Sequence, residues 1–337
     1  MATTLLPAVP TVHVPPEDAE QLLMKAERLA AFDPVIDPDA FVLEAQGLAI
    51  TLTEPVRRAL LSFRRHGHPS GGLLVRGLPT GVVPPTPDSA DEAMGIHLPA
   101  ARVMSIAVAA LGDQFGFSAE LRGRIIHDIL GVAGHEEEQS SISSEVLLVV
   151  HNETAFTEAR PDFVSLFCLR ADPRGGGATL LAGVGRALAQ IDAASRELLA
   201  SARFQTSVDL SFVRDRSPQE KLYAGPMAVL SGTPRRPRTR CDFAETRGLD
   251  PDAEAALASL HAAASAAAVE IYLEPGDLLL IANHEAFHGR SPFAARHDGR
   301  DRWLLRSFIT ADLSRSLSER PDDGRVVEPD LPVADAS

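Results

Sequence analysis

The sequence predicts an α+β fold whose β core is a jelly roll made of two sheets. Helical patterns gather in the first third of the 337 residues, whereas short apolar strands with helical insertions fill the remainder. The chain contains no internal repeat and no Gly-rich linker that divides it. We therefore expect one domain over residues 1–337, with the jelly-roll core at about residues 71–312.

The first third of the chain is predicted to be mainly helical. Residues 1–16 contain four prolines and little periodicity, so we expect a disordered arm there. Apolar residues at helical spacing predict helices over 17–31, within 40–66 and at about 99–113. The apolar run GGLLVRGLP (71–79) is bounded by Gly and Pro and predicts a strand.

Short apolar runs predict most of the strands after residue 145. They are 145–151, 162–170, 225–232, 239–243, 275–283 and 302–312. Helices are predicted at about 183–192 and 194–203, and the Ala-rich stretch 250–273 predicts a longer one. The unpatterned segment 207–226 is interpreted as a lid, with a plain surface loop as the alternative. The acidic, Pro-rich tail over 317–337 is expected to be disordered.

The composition argues against several classes of partner. The formal net charge is −14, with 46 acidic and 32 basic residues, so a basic footprint for nucleic acid or an anionic membrane is not expected. Two cysteines, Cys168 and Cys241, do not make a disulfide framework. The sequence shows neither an apolar run of membrane-spanning length nor a secretory leader, which predicts a cytoplasmic protein. The oligomeric state is left open.

One triplet has the pattern of a metal site. His151 and Glu153 follow an apolar strand as H-x-E, and residues two apart on a strand point to the same side. His288 follows the strand predicted at 275–283 and can supply a third ligand. Two imidazoles and one carboxylate leave coordination positions open, as non-haem Fe(II) oxygenases require for a co-substrate and O₂. The pattern therefore indicates an Fe(II) site.

Two arginines strengthen this interpretation. Arg302 and Arg306 lie at the start and within the strand predicted at 302–312. The fixed fork of a guanidinium suits a carboxylate, and an oxo-acid bound to iron leaves its distal carboxylate in need of such a partner. Surface arginines on an edge strand are the alternative.

A second motif predicts a different function. Residues 284–288 read H-E-A-F-H, the zinc-peptidase pattern, which requires a helix so that the two histidines share a face. Pro275 and Gly276 precede the apolar run, and Gly289 and Pro292 follow, so a helix is poorly supported and His284 is interpreted as a loop residue. A zinc peptidase and a non-catalytic jelly-roll binding protein remain the alternatives.

Longer stretches resemble a known family. HNETAFTEARPDFVSLFCLR (151–170), PGDLLLIANHEAFHGRSPFAARHDGRDRWLLRSF (275–308) and HEEEQSSISSEVLLVVH (135–151) resemble the clavaminate synthase-like branch of 2-oxoglutarate oxygenases. This branch includes bacterial hydroxylases of free arginine, asparagine and lysine. The resemblance covers about residues 115–312 and implies a double-stranded β-helix, that is, a cupin-like jelly roll. Asn152 stands where the family usually has Thr.

The resemblance implies roles for the metal-site residues. His151, Glu153 and His288 would bind Fe(II), and Arg302 would pair with the 5-carboxylate of 2-oxoglutarate. The implied reaction uses O₂, releases succinate and CO₂, and hydroxylates a free L-amino acid with a polar side chain at C3 or C4, in bacterial secondary metabolism. Desaturation and cyclisation remain open.

The resemblance also implies contacts with the amino acid. Arg306 would bind its α-carboxylate, and Glu120 its α-amine with help from Ser141 and Glu153; a helix-surface acid is the alternative for Glu120. Arginine and lysine hydroxylases of this branch carry a D-x-D pair for the side chain, and here only Asp242 is present, because Ala244 replaces the second acid. This departure keeps citrulline, lysine and a cyclic imino acid as candidates beside arginine.

Overall fold

Seven helices lie in the part of the chain that the computed structural model describes, residues 9–213 and 221–331. They are α1 (Pro16–Ala26), α2 (Pro38–Ala49), α3 (Glu54–His66), α4 (Pro99–Val108), α5 (Val184–Leu188), α6 (Ala193–Leu199) and α7 (Pro251–Ala267). None of these is both long enough and apolar enough to cross a bilayer. The positions of α1 to α6 confirm the helices that were predicted in the first third of the chain and around residues 183–203.

Strands make up most of the remaining regular structure of the described residues. They are β1 (Thr11–His13), β2 (Gly72–Arg76), β3 (Asp113–Phe117), β4 (His127–Leu130), β5 (Leu148–His151), β6 (Phe163–Arg170), β7 (Thr179–Gly183), β8 (Phe204–Ser207), β9 (Tyr223–Met227), β10 (Leu230–Thr233), β11 (Arg236–Thr239), β12 (Thr246–Gly248), β13 (Val269–Ile271), β14 (Leu278–Ala282), β15 (Ala286–Arg290), β16 (Trp303–Thr310) and β17 (Val326–Val327). The content is thus mixed α and β, as predicted.

Two sheets pack face to face. The larger has the strand order β1-β2-β14-β6-β16-β3-β17, with β4 paired to β16, and the smaller has the order β13-β7-β15-β5. Leu166 and Phe308 of the larger sheet belong to the same buried apolar cluster as Leu181 and Ala286 of the smaller one. Burial of this shared apolar surface holds the two sheets together.

Helices cover the outer face of each sheet. Phe41 of α2, Leu60 of α3 and Met104 of α4 pack with Leu280 and Trp303 of the larger sheet. Because both faces of β14 and β16 are covered, their sequences are nearly continuous apolar runs rather than alternating ones.

The smaller sheet is covered by α7. Its buried residues Ala253, Ala256, Leu257 and Leu260 recur at helical spacing, and Asp250 caps the N-terminus by accepting hydrogen bonds from two backbone N–H groups. The prediction of a helix to residue 273 was wrong at its end, because α7 stops at Ala267 and β13 pairs with β7. The alternating, β-branched sequence VEI overrides the helical pattern there.

Several further strands of the described residues were not predicted, namely β3, β4, β7, β8, β12 and β15. β3, β4 and β15 contain polar residues at positions that an apolar-run criterion rejects, and each is paired with a neighbour that supplies its partners. The strand predicted at 239–243 is confirmed only at its start, since β11 ends at Thr239 and Asp242 forms an isolated bridge with His151.

Both chain ends are more ordered than expected. Within the arm predicted at 1–16, β1 runs parallel to β2, and residues 1–8 lie outside the described part. The expectation of a disordered tail was wrong for residues 317–331. There β17 runs parallel to β3, and the buried Arg325 guanidinium pairs with Asp39 at 2.7 Å and with Asp113 at 2.9 Å. Residues 332–337 lie outside the described part.

Arg325→Ala tests whether this ion pairing anchors the tail. We expect it to lower the free energy of unfolding by about 1–3 kcal/mol, because the half-buried Asp113 carboxylate loses its cation and keeps only the Gln46 amide as a side-chain donor among the described residues. Urea titration monitored by circular dichroism measures the change. The exposed Arg300, replaced by Ala, is the matched control and should leave the midpoint unchanged. An Arg325→Ala midpoint equal to the wild type would contradict the anchoring role.

Candidate metal centre and substrate cavity

Strand pairing brings the predicted metal ligands together. β5 and β15 are antiparallel neighbours in the smaller sheet, and His288 lies opposite His151 in their register. Glu153 follows His151 by two residues, just beyond the end of β5. One donor atom from each of the three side chains lies within 4.8 Å of the other two. This spacing suits a single ion bound by all three.

The hydrogen bonding of His151 and the charge states of His288 and Glu153 suit a divalent cation. His151 Nδ1 lies 2.8 Å from the Val149 carbonyl oxygen, which leaves Nε2 for a metal. Burial lowers the pKa of His288, with the neighbouring His151 adding to the effect. Burial alone would raise the pKa of Glu153, but the Arg306 guanidinium and His288 hold it well below its usual range. Neutral imidazoles and an ionised carboxylate are the forms that bind Fe(II).

Two asparagines fix the backbone around the ligands. Asn152 Nδ2 donates to the carbonyl oxygens of Asn283 and Ala286 at 2.6 and 2.9 Å, and its Oδ1 accepts from Cys241 N–H at 3.0 Å. Asn283 Oδ1 accepts from Glu153 N–H at 2.8 Å, and its Nδ2 donates to the Glu153 carbonyl at 3.1 Å. Neither asparagine was assigned a role from the sequence. For Asn152, its position between two predicted metal ligands was the sequence feature that could have indicated a structural role.

Arg302 is a buried arginine whose charge has no partner among the described residues. It immediately precedes β16, is 6% exposed, and makes no hydrogen bond or ion pair within residues 9–213 and 221–331. Its guanidinium carbon lies 5.7 Å from the centre of the Phe293 ring, and burial lowers its pKa to about 10. A buried cation without a partner is costly, so the position favours an anionic ligand.

The path of the Arg302 side chain requires a glycine beside it. Gly177 has a φ of +67°, and a Cβ atom there would lie 2.7 Å from Arg302 Cδ. Any other residue at this position would combine backbone strain with displacement of the guanidinium. The orphaned Arg302 charge and the three metal donors together fit an iron ion and a dicarboxylic oxo-acid.

Arg306 is paired, in contrast to Arg302. Arg306 lies within β16, four residues after Arg302, which immediately precedes the strand, so both side chains point to the same side of the extended chain. Arg306 Nη1 donates to Glu153 Oε1 at 2.8 Å, and Nη2 donates to Glu120 Oε2 at 2.9 Å. Glu120 lies in the turn after β3, so the alternative of a helix-surface acid was wrong. Burial raises the pKa of Glu120 to about 7, although Arg306 opposes the shift.

A cavity of about 570 Å³ connects these groups. All eight residues that the sequence analysis singled out line it: His151, Glu153, His288, Arg302, Arg306, Glu120, Ser141 and Asp242. Asp209 and Lys221 also line it and were not predicted. Both belong to the segment 207–226, of which residues 214–220 lie outside the described part.

The zinc-peptidase alternative was wrong. His284 and Glu285 lie in a turn and His288 in β15, so the motif forms no helix. His284 Nε2 lies 3.1 Å from Asp162 Oδ1, whereas Glu285 pairs with Arg236 at 2.7 Å. Neither side chain belongs to the metal-binding group of the described residues.

Comparisons with known proteins agree with this geometry. Residues 39–308 match the family described as taurine catabolism dioxygenase TauD, TfdA. The chain is 39% identical to the L-asparagine oxygenase of Streptomyces coelicolor over 274 residues, which cover 81% of this chain and 80% of that protein. It is 37% identical to the L-lysine 3-hydroxylase of Catenulispora acidiphila over 289 residues, with 85% and 80% covered.

A solved structure is similar over nearly the whole chain. The crystal structure of asparagine oxygenase in complex with Fe(II), 2S,3S-3-hydroxyasparagine and succinate superposes with a TM-score of 0.87 at 36% identity. The match covers 94% of this chain and 98% of that one. The resemblance seen in the sequence to oxygenases of free amino acids is thereby confirmed, and the non-catalytic alternative is not favoured.

Removal of any one metal ligand should abolish iron binding. We expect His151→Ala, Glu153→Ala and His288→Ala to reduce bound Fe(II) from one per chain to background, since each deletes one of three donors. Metal analysis after anaerobic loading and gel filtration measures this. His284→Ala, a buried histidine outside the group, is the matched control and should retain iron. Iron lost from His284→Ala or kept by Glu153→Ala would contradict the assignment.

Proposed function

Because the chain belongs to the taurine catabolism dioxygenase TauD, TfdA family, we propose that it hydroxylates a free L-amino acid with a polar side chain at C3 or C4. It is an Fe(II)- and 2-oxoglutarate-dependent dioxygenase. The observation that carries the proposal is the arrangement of the cavity: the three metal donors line it together with Arg302, which has no partner among the described residues, and with the paired Arg306. This supplies separate places for an oxo-acid and an amino acid.

We also propose that the two sheets form a double-stranded β-helix and that residues 1–337 make one domain. The apolar cluster shared by the sheets supports the first point. The second is supported by α2, α3 and α4, which pack directly on the larger sheet and share its core.

His151, Glu153 and His288 are proposed to hold the iron, which when bound supplies oxidation by O₂ coupled to conversion of 2-oxoglutarate to succinate and CO₂. Arg302 would bind the distal carboxylate of 2-oxoglutarate in a bidentate manner. Because this guanidinium is already buried and no described residue pairs with it, it needs no rearrangement to receive the anion. Positioning of the oxo-acid is thus built into the folded chain.

Arg306 and Glu120 are proposed to hold the backbone end of the amino acid. Arg306 would bind the α-carboxylate, while Glu120, with Ser141 and Glu153, would accept hydrogen bonds from the α-ammonium. Arg306 and Glu120 lie 2.9 Å apart, so they can bind the two adjacent charged groups of one amino acid. An amino acid held in this way directs its β and γ carbons toward the metal.

The side-chain end of the substrate is proposed to meet acidic groups. Asp242 is joined to His151 by a β-bridge and lines the cavity, and burial raises its pKa. Asp209 lines the same cavity and supplies a second carboxylate, in place of the one that Ala244 lacks. A side chain that ends in a cationic, ureido or amide group suits these acceptors. Two relatives are named for asparagine and lysine, amino acids whose side chains end in an amide and in a cation. The segment 207–226, whose residues Ser207 to Ser211 line the cavity, is proposed to act as its lid.

Arg302→Ala should weaken use of 2-oxoglutarate. We expect its KM to rise at least a hundredfold, because loss of one partner of a buried ion pair costs about 3–5 kcal/mol. Succinate release across a 2-oxoglutarate titration measures it. The exposed Arg300→Ala serves as control, since it removes the same charge two residues away. An unchanged KM for 2-oxoglutarate in Arg302→Ala would sink this assignment.

A succinate-release screen with Fe(II) tests the substrate class. The probes are the proteinogenic amino acids, citrulline, ornithine and pipecolate, and we expect turnover with a polar L-amino acid but not with its α-amide. Asp242→Ala should reduce kcat/KM for long polar substrates roughly tenfold, since an unpaired buried polar tip costs about 1–3 kcal/mol. Asp252→Ala is the control and should leave kcat/KM unchanged, because it removes an exposed carboxylate that does not line the cavity. Turnover of the α-amide would point to a carrier-bound substrate.

A further inference from the structure

His127 is a buried histidine behind Arg306 that the proposed function does not use. It lies on β4, directly opposite Arg306 in the pairing of β4 with β16. Its side chain is 1% exposed, and it is not among the described residues that line the cavity. A substrate in the cavity would therefore touch Arg306 and not His127.

The hydrogen bonds of His127 determine its tautomer. Nε2 lies 2.8 Å from the carbonyl oxygen of Arg124, and a carbonyl only accepts, so Nε2 carries the hydrogen. Nδ1 is then a free lone pair, and Arg306 Nη2 donates to it at 2.9 Å. The Phe308 ring supports both groups, with the imidazole edge-on at 5.3 Å and the guanidinium carbon 4.5 Å from the ring centre.

The imidazole orients the guanidinium without neutralising it. Burial and the adjacent Arg306 charge lower the pKa of His127 to about 3, so it is uncharged at neutral pH. The other two partners of Arg306 are carboxylates, and each has a further partner in the proposed complex: Glu153 the iron and Glu120 the α-ammonium. Of the hydrogen-bond partners of Arg306 among the described residues, His127 is the one that does not line the cavity, so neither ligand would contact it.

We propose that His127 is a positioning residue, which holds Arg306 in place and leaves its positive charge available to the α-carboxylate of the amino acid. This inference rests on the proposed function for the identity of the carboxylate. The geometry on which it stands, a buried neutral acceptor directly behind an arginine of the cavity, is independent of that function.

Three variants separate the roles of shape, acceptor and charge. His127→Leu fills similar space without an acceptor, His127→Asn places an amide oxygen near the Nδ1 position, and His127→Asp places a charged oxygen there. We expect His127→Leu to raise KM for the amino acid about tenfold or more, as loss of a hydrogen bond to a charged group does, with KM for 2-oxoglutarate unchanged. His127→Asn should keep KM within about threefold of the wild type, and His127→Asp should not, because the added negative charge neutralises Arg306.

The measurements use the full chain loaded with Fe(II) and whichever amino acid releases most succinate in the screen above. Anaerobic titration of the same amino acid by calorimetry gives a second readout that needs no turnover. The proposal would be overturned if His127→Leu kept the wild-type KM and affinity for the amino acid. It would also be overturned if His127→Leu and His127→Asn were equally impaired. If the wild type released no succinate with any amino acid, the proposed function would fail, and with it the assignment of the carboxylate.

Nitrogen-15 NMR of the histidine side chains of the wild-type protein tests the geometry by itself, even where the variants do not fold. We expect His127 to show a neutral ring with the hydrogen on Nε2 from pH 5 to pH 9. Through-bond correlation of the ring with its own backbone, in uniformly labelled wild-type protein, assigns the signal without recourse to a variant. A protonated ring, or a hydrogen on Nδ1, would overturn the inference.

Discussion

The pairing of β5 with β15 is the constraint on which the site depends. It sets His151 opposite His288, and a shift of one residue in register would turn one imidazole to the other face of the sheet. Asn152 prevents such a shift, because its amide hydrogen-bonds the backbone on both sides of the turn that leads into β15 and also holds Cys241. The residue between the first two ligands thus fixes the position of the third ligand.

Two arginines on one extended stretch of chain can serve two ligands. Arg302 immediately precedes β16 and Arg306 lies within it, and both line the cavity; in the described part of the chain Arg302 has no hydrogen-bond or ion-pair partner, whereas Arg306 is held by Glu153, Glu120 and His127. The difference comes from their neighbours: Arg302 lies beside Gly177 and the Phe293 ring, which carry no side-chain acceptor, whereas Arg306 lies opposite β4 and next to Glu120 in the turn after β3. Arg302 is therefore ready for an anion, and Arg306 must exchange partners when ligands bind.

The C-terminal segment of the described chain reinforces the walls of the cavity. Arg325 ties the last strand to Asp39 of α2 and Asp113 of β3, and the turn after β3 carries Glu120. Further along the tail, Leu331 packs against an apolar cluster that includes Val208, a residue of the cavity wall. Segments without an obvious sequence pattern thus stabilise the elements that present the substrate-binding groups.

The sequence by itself determined the local parts of the site. The spacing of His151 and Glu153, and of Arg302 and Arg306, follows from the geometry of a single strand, so these pairs could be recognised without knowledge of the fold. The long apolar strands and the amphipathic helices were recognisable for the same reason. Only the tertiary structure decided the rest: the strand nature of β15, the order of the tail, and the roles of Asn283, Asp209 and His127. Each of these depends on partners distant in sequence, since a short polar segment becomes a strand, or a buried histidine an acceptor, through the neighbour that packs against it.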